Sequence, residues 1–262
     1  MSNQEITWAK ELKEPVLNFI KSLNIKKYNY LPAKEGLSEY GEGLVLGFSC
    51  FSLKINYILN QTDYLDGAYI EGWKNFINSY QKNEYISLEN YFVDPFIDKF
   101  YNQKSLENYL KENSKKLLNL IPSYKFELQK TKHLKAINAE TKQAISTLYQ
   151  LGSKNEKIIS NVYNSEVSLE VYLNSLDWKK PWNAGAQFAS FCVYSKTQNF
   201  ENVNFLKEYI ANLSNSETGS YYLSTPNSNR EIINGAMKVI SGLDWLDEEI
   251  HYPEKLIDFC LL

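Results

Sequence analysis

The chain has 262 residues, 23% of them charged, and a formal net charge of −3. That length holds one large core or two small ones. The near-balanced charge, with no block of about five or six like residues, gives no field to draw in nucleic acid. Mean hydropathy is −0.43. No run approaches the roughly 18 apolar residues of a membrane helix, so no membrane span is expected.

The opening stretch MSNQEITWAKELKEP is polar and lacks the apolar core of a signal peptide. Cys50, Cys192 and Cys260 are far apart among Phe, Ser and Leu. They read as reduced, buried thiols of a cytoplasmic protein, with no disulfide frame and no Cys-based metal site. Tyrosine is abundant at 20 residues, and arginine occurs once, at Arg230, among 28 lysines and arginines. An AT-rich coding sequence accounts for both biases. Arg230 still stands out, because a guanidinium offers a rigid fork of donors that lysine cannot copy.

The pattern is helical almost throughout. WAKELKEPVLNFIKSLNI (8–25) has helical spacing, interrupted at Pro15 by a kink or a new start. GLVLGFSCFSLKINYILN (43–60) is apolar nearly all round and rich in small residues, a buried helix. GAYIEGWKNFINSYQ (67–81) and SLENYLKENSKKLLNLI (105–121) are amphipathic. INAETKQAISTLYQLG (137–152) returns to the small-residue type and ends on a C-capping Gly152. SLEVYLNSL (168–176) is a short amphipathic helix, and NAGAQFASFCVYSK (183–196) is buried. NVNFLKEYIANL (202–213) is amphipathic, EIINGAMKVISGL (231–243) is buried, and PEKLIDFCLL (253–262) starts on a first-turn proline. GSYYLST (219–225) reads as an extended loop.

Two helix types therefore alternate. The small-residue helices begin near positions 43, 138, 183 and 231. Their later spacing is about 45 to 48 residues, and the first interval is close to twice that, with a hidden turn expected near YFVDPFIDKFYN (91–102). Crowded inner helices need small residues, and outer helices need a wet face. The expected fold is all-α, an α/α toroid of helix hairpins spanning 1–262 as one helical-repeat domain, with leading helices and a loop over 1–40. About five hairpins are visible where a closed ring uses six, so the chain is expected to be an open ring or part of a longer protein. Long segments before the inner helices, PSYKFELQKTKHLKA (122–136), DWKKPW (177–182) and SNSETGSYYLSTPNSNR (214–230), are expected as loops at the mouth of the ring.

The unit FLKEYIANLSNSETGSYY…NREIINGAMKVISGLDWL resembles the repeats of α/α-toroid proteins: terpenoid cyclases, protein prenyltransferase β subunits and, more loosely, the heparinase and alginate-lyase group. DWKKPWNAGAQ and TKHLKAINAETKQAISTL are similar to Trp-x-x-Pro-Trp and His-Leu elements of toroid proteins associated with bacterial capsule and surface-polysaccharide synthesis. The likeness covers 43 to the C-terminus and speaks for fold more than chemistry. DWLDEE (244–249) has acids at the wrong spacing for the cyclase acid motif. His133 and His251 without an Asp-x-Cys pair do not make a prenyltransferase zinc site.

The lyase likeness implies proton abstraction beside a carboxylate, for which Asn183, His133, Tyr221 or Tyr222, and Arg230 are the available groups. The catalytic candidates are His133, Glu140 and Tyr222. His133, among lysines before the helix that Glu140 opens, reads either as a surface histidine or as a general base. Glu140 reads either as first-turn dipole pairing or as a group at the cavity mouth. Trp178 and Trp182 plug a corner or form a stacking wall, Asn183 caps the next helix, and a buried Gln187 must be hydrogen-bonded. Arg230, Asn234 and Lys238 complete the binding candidates, and Lys54 and Lys238 on inner helices point to an anionic ligand.

The expected function is a carbohydrate-active or glycan-binding protein of bacterial surface-polysaccharide synthesis, taking an anionic sugar or nucleotide-sugar. Catalysis is left open. No cofactor and no metal are expected, since there is no Gly-rich phosphate loop and no ligand cluster. The alternatives are a non-catalytic helical module docking a partner enzyme or a fused domain and, more weakly, an isoprenoid cyclase-like enzyme.

Overall fold

The computed structural model describes residues 7–86, 88–103, 105–124, 126–160, 163, 165–224 and 228–261, with side chains from residue 11 onward. Among them the protein is mostly helical, 62% helix in twelve α-helices, with minor short hairpins. In chain order the helices are α1 (Thr7–Leu23), α2 (Glu39–Gly43), α3 (Leu46–Ile58), α4 (Gly67–Asn78), α5 (Pro95–Tyr101), α6 (Leu106–Leu118), α7 (Gln129–Gln150), α8 (Glu166–Asn174), α9 (Pro181–Thr197), α10 (Val203–Asn212), α11 (Asn229–Trp245) and α12 (Pro253–Cys260). A small hairpin, β1 (Asn24–Lys26) and β2 (Asn29–Tyr30), follows α1.

The chain divides into two compact units. One comprises 1–85 with 90–157, and the other 86–89 with 158–262.

The helix starts follow capping chemistry. Ser38, Asp66, Asp94, Ser105, Ser165 and Ser228 each accept a backbone N–H of the first turn, for α2, α4, α5, α6, α8 and α11. Pro95, Pro181 and Pro253 stand in the first turn of α5, α9 and α12, where a missing N–H is harmless. Gly152, at φ +66, follows α7 as its sequence signal predicts. Near 91–102, where a hidden turn of the repeat is expected, lies the seven-residue α5.

In the first unit Leu46, Leu53, Trp73, Ile77, Phe92, Ile137, Ile145 and Leu148 form the core. Gly47 lies against the Glu140 carboxyl, and further along both helices Lys54 Nζ donates to Ser146 Oγ at 2.6 Å. The contacts advance in the same sense, so α3 and α7 run parallel. In the second unit Trp178, Phe188, Tyr194, Leu206, Ile210, Tyr221, Val239 and Leu243 are buried. A Cβ on Gly235 would lie 2.5 Å from Pro181 Cβ, and one on Gly242 would lie 2.9 Å from Cys192 Sγ. The small residues therefore let α9 and α11 close on each other, again in parallel, with α10 returning the chain between them.

The structure corrects several sequence expectations. The segment 122–136 is half helix, because α7 already starts at Gln129. Its first turn is closed from α6, where Glu112 Oε2 accepts Gln129 N–H at 2.8 Å. The first small-residue helix begins at Leu46, and Gly43 ends a separate short α2. Pro15 lies inside a continuous α1, so no second helix starts there. Cys50 and Cys192 are buried, but Cys260 is exposed. Thr225, the end of the expected extended stretch, lies outside the described residues.

Candidate functional site

On α7, His133 and Glu140 stand two helical turns apart, on the face that also carries the buried Ile137, Thr141, Ala144 and Leu148. His133 belongs to the helix, not to a loop before it, and is 3% exposed, not a surface histidine. Its ring stacks on Tyr101 at 5.0 Å and meets Tyr85 edge-on. The Tyr85 hydroxyl lies 3.3 Å from His133 Nε2 and donates to Asp98 Oδ1, which also accepts from Asn102. Burial lowers the His133 pKa, and the nearby Asp98 charge opposes this. The histidine is thus an interior group backed by a Tyr–Asp chain.

Glu140 is not in a first turn. It sits mid-helix, its carboxyl pushed up to about 7 by burial and then by Asp94, against a hydrogen bond from Gly47 N–H. Its Oε2 is buried without a hydrogen-bond partner among the described residues. Asp94, which the sequence reading missed, accepts Val45 and Leu46 N–H on Oδ2 and Phe96 N–H on Oδ1, each at 2.9 Å. Around them lie Cys50, pushed up to about 12 by burial, and Tyr80, also raised to about 12 by burial. Burial lowers Lys54 to about 8. Its Nζ donates to the Ser146 hydroxyl of the same unit at 2.6 Å.

The remaining candidates lie in the second unit. Trp178 is 2% exposed, and its Nε1 donates to Leu173 O at 3.0 Å, so it is the corner plug. Gln187 is buried and accepts the Tyr172 hydroxyl at 3.0 Å beside Phe191. Asn183 does not cap α9. The helix begins at Pro181 after Lys180, and Asn183 is exposed within the first turn. Tyr222 lies 3.3 Å from Thr218 Oγ1 in a turn that Asn215 organises by accepting Glu217 and Thr218 N–H. Gly219 in that turn has φ +69, and a Cβ there would lie 2.5 Å from Leu256 N, so glycine is required on both counts. The TGSYY run is a structural junction onto α12, where Tyr221 OH accepts His251 N–H at 3.1 Å.

Trp182 is different. It is 37% exposed, and the Arg230 guanidinium lies 5.6 Å over its ring. Pro181 packs on Gly235, so the N-terminal ends of α9 and α11 are side by side. Exposed Lys179, Lys180, Asn183 and Arg230 belong to these ends, with Asn234 and Lys238 half-buried further along α11. The other end of α11 is acidic: Asp244, Glu248 and Glu249 line a cavity of about 410 Å³ there. The structure thus groups Trp182, Asn183 and Arg230, while Trp178 and Gln187 are interior. His133 and Glu140 belong to the other unit.

The His133 network was legible in part: the Tyr-Asn at 101–102 and Asp98 sit one turn apart in YFVDPFIDKFYN, but Tyr85 comes from a separate segment with no periodic signal. Among the described residues no His, Cys, Asp and Glu group is placed to hold a metal ion, and no helix is long and apolar enough to cross a membrane. No family model matches the chain, and neither a curated protein nor a solved structure shows detectable similarity to it.

Proposed function

We propose that the protein is a glycan-binding, carbohydrate-active helical-repeat protein of surface-polysaccharide synthesis, holding an acidic sugar where α9 and α11 begin. The observation that carries this reading is the Arg230 guanidinium over the exposed Trp182 ring, 5.6 Å from its centre. A half-open indole offers a flat apolar face for the C–H side of a pyranose, and a guanidinium fork fits a carboxylate. Lys179 and Arg230 add positive charge where the helix dipoles already present it, while Lys180 is paired with Asp177 at 3.6 Å and Glu231 stands in the first turn of α11. The fold that goes with this reading is the α/α toroid, supported by the parallel small-residue pairs α3/α7 and α9/α11. Calorimetric titration with oligoglucuronate and with a neutral glucan of equal length tests it. The acidic chain is expected to bind and the neutral one to bind roughly tenfold or more weakly. Equal binding, or none, overturns it.

A second reading, a helical docking module, is favoured by α6. Leu106, Tyr109, Leu110 and Leu117 are 76%, 67%, 56% and 66% exposed, and α6 buries none of its residues.

A further inference from the structure

The helix α6 is amphipathic in the reverse of the usual sense. Its half-buried residues are all polar: Asn108, Glu112, Asn113 and Lys115, followed by Asn119 at the C-cap. Positions 108, 112, 115 and 119 recur at intervals of four and three, so they share one side of the helix. That side holds α6 to its own unit. Glu112 accepts Gln129 N–H at 2.8 Å and pairs with Lys115, and Asn119 exchanges two hydrogen bonds with the Phe126 backbone, at 2.8 and 2.6 Å.

A surface helix normally turns its apolar stripe to the core and its polar face to water. Here Leu106, Tyr109, Leu110 and Leu117 face outward. Past the C-cap, Leu120 is 79% exposed and lengthens the row through a tight turn, its N–H donating to Leu117 O at 3.1 Å.

Three observations point to a second copy of the chain as what covers this row. The row is symmetric about Asn113: Tyr109 and Leu117 stand four residues to either side, and Leu106 and Leu120 seven. Two such helices laid antiparallel about a two-fold axis at Asn113 set Tyr109 of one copy opposite Leu117 of the other, and Leu106 opposite Leu120. Each contact is then made twice, as an isologous interface requires. Asn113 itself makes no hydrogen bond among the described residues. On the axis it meets the same amide of the other copy, and an amide both donates and accepts. A lone Asn in an apolar seam is the residue that fixes the register of paired helices. The outward row offers on the order of 600 Å² of apolar surface per copy, and twice that for a pair reaches the range of specific interfaces.

Charge does not oppose the pairing. Glu107 pairs with Lys111 and Glu112 with Lys115 inside each helix, which leaves Lys116 as the unmatched charge of α6 among the described residues. A membrane surface fits less well, because an interfacial helix carries an excess of cations beside its apolar face.

We propose that α6 pairs with α6 of a second copy in an antiparallel two-fold contact centred on Asn113. The inference rests on the docking reading of α6 and gives it a partner; the acidic-glycan site belongs to the other unit and plays no part in it.

Sedimentation equilibrium of the full-length protein, from micromolar concentration upward, gives the mass. The double variant Leu110→Lys, Leu117→Lys is compared with it, and flotation with phosphatidylglycerol vesicles is run beside it. The parent is expected to sediment as a dimer, and the double variant to dimerise at least roughly tenfold more weakly with helix content and Tm unchanged, since both leucines are exposed in the single copy. Oxidative cross-linking in a Cys260→Ser background, which removes the exposed native thiol, reads the orientation. A mixture of Leu106→Cys and Leu120→Cys proteins is expected to give covalent dimers, and Leu106→Cys alone none. Cross-linking by Leu106→Cys alone means parallel helices and overturns the arrangement. A parent that is monomeric throughout, or a dimer that the double variant leaves intact, overturns the self-pairing and leaves the docking and glycan readings standing. A monomer that floats with the vesicles, and no longer does so as the double variant, gives the face to a membrane and overturns the docking reading as well.

Discussion

Asp94 and Glu140 close the N-terminal end of one helix from two different parts of the chain. Asp94 takes the Val45 and Leu46 N–H groups at 2.9 Å each, and Glu140 takes that of Gly47. A helix start presents several orphan donors and a positive dipole end, which welcomes one carboxylate readily. A second one, buried beside the first, holds its proton more tightly. The raised Glu140 carboxyl is the result, and it ties the stability of the first unit to pH.

The direction of that link follows from proton counting. Glu140 ionises near 4.5 in the unfolded chain and near 7 in the fold, with burial the main cause and Asp94 the second. The folded state binds more protons between those values, so its share of stability is full below about 4.5 and is lost as pH rises through 7. The loss amounts to about 3 kcal/mol. Urea melts from pH 4 to 8 are expected to show the decline, and Glu140→Gln to flatten it and to be the more stable protein at pH 8.

Lys54 works in the opposite sense. Burial lowers its ammonium from the usual 10.5 to about 8, so unfolding takes up a proton between those values and stability rises with pH across them. Its partner Ser146 also donates to Gln143 O at 3.1 Å, so Ser146 keeps a partner without the lysine. Lys54→Met is expected to raise stability at neutral pH by about 1–3 kcal/mol. Thermal melts at pH 7 check this, and a lower Tm than the parent protein contradicts it.

The contact between Gly235 and Pro181 sets how closely α9 and α11 approach. A methyl at Gly235 would meet Pro181 carbons at 2.5 and 2.7 Å. Gly235→Ala is expected to cost about 1–3 kcal/mol by overpacking. Gly67→Ala, where nothing lies within 4 Å, is the control and should change stability little. Denaturant midpoints of the two variants give the comparison.

Thiol chemistry separates the three cysteines. Cys50 and Cys192 are buried and Cys260 is exposed. The Cys50 thiol is pushed up to about 12 by burial, which keeps it from forming a thiolate at neutral pH. Iodoacetamide at pH 8 is expected to modify Cys260 first, with Cys50 and Cys192 reacting on unfolding. Mass spectrometry of the peptides reads this directly.

The alternation of small-residue and amphipathic helices was legible because close helix packing leaves a local mark: Gly235 and Gly242, seven residues apart on α11, face α9, and Gly185 on α9 faces α11. Features made by distant segments were not legible. The start of α7 depends on Glu112 across from it, and Asp94 reaches α3 from a different element. Asn183 misled because its capping chemistry is real, yet Pro181 two positions earlier sets the helix start. Trp182 and Arg230 were marked as candidates, but their stacking joins two helix ends that no spacing rule connects. Tyr69 and Trp73 are visible as a pair one helical turn apart, while Tyr30, stacked on Trp73, arrives through a hairpin with positive φ at Tyr28, which turn signals do not anticipate.

The most direct test of the account is Arg230→Lys assayed for oligoglucuronate binding by calorimetry. Lysine keeps the charge and loses the planar fork over Trp182. Affinity is expected to fall roughly tenfold with the protein's Tm unchanged, and Trp182→Ala to fall at least as far. Binding that survives both substitutions at full strength would contradict an acidic glycan held at the start of α9 and α11.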